Sequence, residues 1–284
     1  MSSNTNTFVR KLAHNDAAVR SAAFQALKNF LKHKESKGLD LVEFEKLWKG
    51  LYFSMWYCDK PIPQQGLAGN IGKLYSEVIP EENLKDFHEA FWLVISKEWP
   101  TIDKWRIDKY LMLIRRVIRH QLFRLEASEW QEEQLDNFLS VLHALPLSDD
   151  PKMPKALSYH IVDLFLDEIE YVIFKDFRDY NEEAEEDDEE DDEEDEEEKE
   201  EEAEDKKDSK EAADDDVAEK KKAILAKTPI KKMLVPFEST AKEAKFKPLR
   251  EKCKELLADE RLQEWSVVEK ETSNDSDDEE WTGF

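Results

Sequence analysis

The chain has only two cysteines and six glycines among its 284 residues. Cys58 and Cys253 lie far apart and neither belongs to a C-x-x-C pair. That excludes a zinc ribbon or a disulfide framework and fits a reducing compartment. The histidines His14, His33, His88, His120, His143 and His160 are scattered, with no H-E-x-x-H and no local Cys–His pairing, so no catalytic, metal-binding or cofactor motif is present. No apolar run reaches membrane-spanning length, and the opening MSSNTNTFVRKL lacks the apolar core of a signal peptide. The expectation is a soluble intracellular protein with neither a membrane partner nor a small-molecule substrate.

Charge is abundant but unevenly placed. The formal net charge is −26, yet Glu182 to Asp205 alone holds 21 acidic residues and one lysine in 24 positions. Without that run the chain carries 41 basic against 47 acidic residues, a net of −6. The run cannot bury apolar surface and repels itself, so disorder is expected there. The sign then reverses: Lys220 to Lys254 carries twelve lysines and arginines against three glutamates.

Strand signal is nearly absent from Phe8 to Phe177, where apolar residues recur at the helical period. Asn15 or Asp16 can cap a helix whose apolar positions run from Val19 to Leu31. A second helix starts near Leu41, a third follows Pro61 and Pro63, and Pro80 opens a fourth with Glu81 and Glu82 in its first turn. Further helices are expected over Asp103 to Leu125, Ser128 to Ala144 with Ser128 and Gln131 as a capping box, and Pro154 to Phe177. Helices of this length joined by short Pro-containing turns predict an all-α fold, an irregular HEAT-like α-solenoid of antiparallel helix pairs in a right-handed array, with a closed bundle as the competitor. The domain reading is a helical domain over 1–180, an acidic linker over 181–218, a basic arm with a C-terminal helix over 219–265, and an acidic tail over 266–284. Within the arm, Lys227 to Phe237 reads as extended.

The most informative stretch is Lys46 to Ala68. It sets Trp48, Leu51, Tyr52, Met55 and Trp56 on one helical stripe and then breaks at Asp59-Lys60-Pro61-Ile62-Pro63. The string Trp48, Lys49, Gly50, Leu51, Met55, Trp56, Asp59, Lys60, Pro61, Gln64, Leu67, Ala68 resembles the ribosomal RNA processing protein 1 family. A second stretch from Trp99 to Arg116 resembles the same family through Trp99, Ile102, Asp103, Arg106, Asp108, Lys109, Leu113 and Arg115. The resemblance spans roughly Phe8 to Asp179. It implies a nucleolar, non-enzymatic assembly factor of the large (60S) ribosomal subunit precursor, required for maturation of a 27S-type pre-ribosomal RNA. The implied partners are pre-60S assembly factors, ribosomal proteins and large-subunit pre-ribosomal RNA. An acidic histone-binding chaperone is the alternative that the charge pattern offers.

Candidate docking residues follow from the residues themselves. At about 100° per residue, Arg106, Lys109, Arg116, His120 and Arg124 share one face of the long helix. Such a face either follows phosphates or is simply solvated. Lys231 and Lys232, with Lys220 to Lys222, read as a nuclear import signal, as an RNA-binding arm, or as an arm folded back on the acidic run. Gly66, Gly69 and Gly72 precede Lys73 but have the wrong spacing for a phosphate loop, so close helix packing is the expectation there. Asp163, Asp167 and Glu170 share a helix face that reads as a solvated acidic surface. Asp103 and Asp108 are expected to organise helix ends.

Overall fold

Which helix touches which decides the architecture. The computed structural model of the chain describes residues 2–32, 38–178 and 208–268. The expected disordered run from Glu182 to Asp205 and most of the acidic tail lie outside the described residues. The principal helices are α1 (Ser2–Leu12), α2 (Ala17–Lys32), α3 (Leu41–Trp56), α4 (Pro61–Lys73), α5 (Leu84–Glu98), α6 (Ile107–Ala127), α7 (Glu132–Ala144), α8 (Lys155–Ile173), α9 (Asp208–Lys227), α10 (Ile230–Glu243), α11 (Lys247–Leu257) and α12 (Glu260–Glu264). No strand occurs among the described residues.

From α3 onward the main contacts skip one helix. Helix α1 packs on α3, α3 on α5, and α5 on α7; α4 packs on α6, and α6 on α8. Two parallel rows of helices result, the arrangement of an α-solenoid. The C-terminal basic segment continues both rows, with α10 on α7, α11 on α8, and α10 against α11. The segment read as an arm is therefore packed as the last helix pair of the array.

That packing corrects the extended reading of Lys227 to Phe237. Pro229 and Pro236 argue against a helix there, because proline lacks the backbone donor. Yet α10 runs through Pro236, and Met233, Leu234, Phe237 and Ala241 lie three and four residues apart and are buried. The Phe237 ring meets that of Phe165 on α8 at 4.5 Å. Removing a large aromatic from water stabilises by about 1.5–3 kcal/mol, enough to offset one missing helical hydrogen bond.

The core between the rows is aromatic. The Trp48 ring lies 4.9 Å from Phe87 and 4.8 Å from Phe91, and its Nε1 donates to the Phe87 carbonyl at 2.9 Å. Two local readings also change. Gln131, rather than Ser128, caps α7, its Oε1 accepting from Gln134 N at 2.9 Å, while Ser128 Oγ donates back to Leu125 O. Between the two helices, Glu129 and Trp130 adopt positive φ of 54° and 58°, a left-handed turn that partial burial of Trp130 against the core helps to hold. Of the three glycines on α4, only Gly72 marks a close approach: a Cβ there would collide with the His120 ring and come within 2.8 Å of Arg116 O, whereas Gly66 and Gly69 face open space.

Candidate docking surfaces and the motif junction

The second half of the first motif is a helix ending and a helix beginning. Helix α3 stops at Trp56; the Tyr57 and Cys58 N–H groups donate back to Phe53 O and Met55 O, which leaves the carbonyls of Trp56, Tyr57 and Cys58 to side chains. Pro61 then occupies the first turn of α4, where its missing N–H costs nothing, with Lys60 as the capping residue. Side chains from distant elements cover the exposed carbonyls. Lys109 Nζ donates to Trp56 O at 2.9 Å and Cys58 O at 2.8 Å. Gln64 Nε2 also donates to Cys58 O at 2.8 Å, and a guanidinium nitrogen of Arg20 donates to Tyr57 O at 3.1 Å. Cations at a helix C-terminus also complement its dipole.

The two motifs therefore meet. Arg106 lies over the Trp56 ring at 4.5 Å and pairs with Asp103, whose Oδ1 accepts from Trp105 N at 2.9 Å. Tyr110 stacks on Tyr52 at 4.8 Å and donates to its carbonyl at 2.9 Å. Asp108 is exposed in the first turn of α6, and Asp59 approaches Lys109 at 3.9 Å. Trp48 and Met55 are buried, and Trp99 is half-buried against the core. Gly50 lets α1 approach α3, since a Cβ there would lie 3.0 Å from Leu12 Cδ1 and 3.2 Å from Val9 Cα.

This geometry corrects the reading of α6 as a face of exposed cations. Lys109, Arg116 and His120 are all buried. Burial, only partly offset by Asp59, lowers the Lys109 pKa. The His120 ring bonds Ser76 Oγ through Nδ1 at 2.9 Å. Burial, reinforced by Lys73, Arg119 and Arg116, lowers its pKa to about 3, so the ring is neutral and supplies no charge. Arg106 and Arg124 are half-exposed and remain outward-facing cations of the set. On α10, Lys231 is exposed, while Lys232 pairs with Asp136 at 2.7 Å and Glu132 at 3.2 Å on α7. Lys232 thus clamps the last helix pair to the array. Among the described residues no group of three or more His, Cys, Asp or Glu is placed to hold a metal ion.

Sequence reasoning missed an ion network centred on α8. Glu168, fully buried, accepts from Arg119 at 2.7 and 3.2 Å and lies 3.4 Å from Arg115. The face read as solvated joins it: Arg261 reaches Asp167 at 2.9 Å and Glu170 at 3.2 Å, and Lys252 reaches Asp163 at 2.6 Å. Asp259, then Asp167 and Glu170, raise the Arg261 pKa still further. The acidic face of α8 is the seat of the basic C-terminal helices. Its signal was Glu168, set with Asp167 and Glu170 among the apolar residues of Leu164 to Ile173. Sequence reasoning also missed Trp105, which is 82% exposed beside Lys104, the ammonium lying 4.7 Å from the ring centre.

A family model described as Nucleolar protein, Nop52, matches residues 3–282, nearly the whole chain. The chain belongs to the Nop52 family of nucleolar proteins. Human ribosomal RNA processing protein 1 homolog B is 34% identical over 168 residues, covering 58% of this chain and 22% of that protein. The Caenorhabditis elegans ribosomal RNA processing protein 1 homolog is 35% identical over 164 residues, 57% of this chain and 41% of that protein. The Drosophila melanogaster homolog is 30% identical over 164 residues. The chain thus spans between about a fifth and two fifths of the length of these relatives. The Nop52 family assignment agrees with the resemblance carried by the Lys46 to Ala68 and Trp99 to Arg116 stretches.

Proposed function

We propose that the chain is a non-enzymatic helical scaffold in assembly of the large ribosomal subunit, needed for processing of its precursor RNA. The observation that carries this reading is where the motif residues go. Trp48, Gly50, Met55, Gln64 and Lys109 are used in holding α1, α3, α4, α5 and α6 together. A motif devoted to rigidity suits a protein whose task is to keep other components at fixed separation. The names of its relatives, all ribosomal RNA processing proteins, support the process.

On this reading, Arg106 and Lys231 are the cations available to phosphates, joined by Lys104 and by Trp105 as a stacking surface. Pre-60S assembly factors, ribosomal proteins and pre-ribosomal RNA are the partners. Crosslinking of tagged protein to RNA in cells, with sequencing of the attached fragments, tests this. The expected result is reads concentrated in large-subunit precursor RNA that are lost in a K104E/W105A/K231E variant. Reads absent while the protein still sediments with the precursor particle would remove RNA contact from the reading. Loss of sedimentation without loss of reads would remove the particle.

A further inference from the structure

A groove of about 460 Å³ opens between the start of α5 with the turn before it, the C-terminal third of α6 and the start of α7. Leu84, Leu125 and Phe138 give it apolar walls. Two of its lining residues each carry an amide atom buried without a hydrogen-bond partner among the described residues, Gln121 Nε2 and Gln134 Oε1, and Gln121 as a whole is only 6% exposed. A polar atom hidden from water with its hydrogen bond unmade carries a standing cost that an occupant with the complementary group removes. One of these atoms donates and the other accepts, the pair of functions that a peptide backbone answers with its C=O and N–H.

The rim selects among occupants. Glu81, Glu82, Asp86 and Glu133 surround the opening against Lys85 and Arg124. Four carboxylates against two cations repel a phosphodiester chain and attract lysine and arginine. His88, also in the lining, adds no positive charge: burial lowers its pKa to about 3, and its Nε2 accepts from Trp92 Nε1 at 2.8 Å.

We propose that this groove docks an extended segment of a basic protein. One apolar side chain of the segment sits against Leu84, Leu125 and Phe138, its main chain pairs with the two glutamine amides, and flanking lysines or arginines meet the acidic rim. The assignment deepens the scaffold reading and rests on it for the class of partner.

The test is selection of a displayed library of random peptides on the full chain, then fluorescence anisotropy of the enriched peptides. Enriched sequences are expected to carry an apolar residue flanked by Lys or Arg. Their affinity should fall at least about tenfold in E81K/E133K, whose changes lie on the exposed rim, and also in Gln121→Leu, with circular dichroism unchanged in both. No enrichment, enrichment of peptides lacking basic residues, binding indifferent to E81K/E133K, or displacement of the peptide by an oligouridine RNA would each overturn it. Peptide binding by a chain that does not sediment with precursor particles keeps the groove and removes the scaffold. Sedimentation without peptide selection does the reverse.

Discussion

Two places in the molecule are fastened by basic side chains, and they are fastened differently. At the junction of α3, α4 and α6, buried Lys109 and Arg20 donate to main-chain carbonyls. At the C-terminal pair, Lys232, Lys252 and Arg261 meet carboxylates near the surface, over an apolar contact between Phe237 and Phe165. A carbonyl carries no formal charge, so the junction's bonds respond less to mobile ions than an exposed ion pair does. Exposed ion pairs weaken as salt rises, since the Debye length shrinks from about 8 Å at physiological ionic strength to about 3 Å at 1 M. The first fastening fixes a shape, whereas the second is adjustable by conditions.

The largest expected effect is on the second fastening. Phe237→Ala should cost about 3–5 kcal/mol and expose α10 and α11 to exchange while the aromatic core around Trp48 stays protected. Hydrogen exchange read by mass spectrometry distinguishes this from global loss. Next comes Lys109→Met, which keeps the apolar stem but leaves the Trp56 carbonyl without its donor and the Cys58 carbonyl with Gln64 Nε2 alone, at about 1–3 kcal/mol. Chemical denaturation at low and at 1 M salt should give nearly the same loss, and a loss that depended strongly on salt would erase the difference between the two fastenings.

Acidity should act on the body of the solenoid. His88 and His120 fold with pKa values of about 3 against an ordinary 6.5. Between those values the unfolded chain binds more protons than the folded one. Their contribution to stability is therefore complete above about pH 6.5 and lost progressively as pH falls toward 3. Denaturation midpoints across that window should slope downward on acidification, less steeply in His120→Asn. The smallest effect belongs to Arg261→Gln, expected to cost well under about 1 kcal/mol because the pair is partly exposed. Exchange of α11 and α12 should rise slightly in the variant and rise similarly in the parent at high salt.

Much of the fold was legible because helical periodicity survives in the sequence. The helices from Val19 to Ile173 follow from apolar spacing, and the prolines at 61 and 80 fall where helices begin. What escaped was chosen by tertiary context. Pro236 looked like a breaker until burial of Met233 and Phe237 overrode it. The cationic stripe of α6 is real as a helical projection, but a projection does not say which neighbour covers it. Helix α4 lies over His120 and Arg116 through Gly72, and the carbonyls at the end of α3 draw in Lys109. The same ambiguity hid the seat on α8, where the acids seemed solvated only because their basic partners stand about ninety residues downstream.

The last helix pair completes the array from the far side of the acidic run, and this sets an order in time. Fifty-six residues separate Ile173 from Ile230. At a synthesis rate of about 5–20 residues per second, the apolar face around Phe165 leaves the exit tunnel several seconds before Phe237 arrives to cover it. Over that interval the nascent chain presents an open apolar face to anything nearby, and covering it waits for a segment made only after the acidic run.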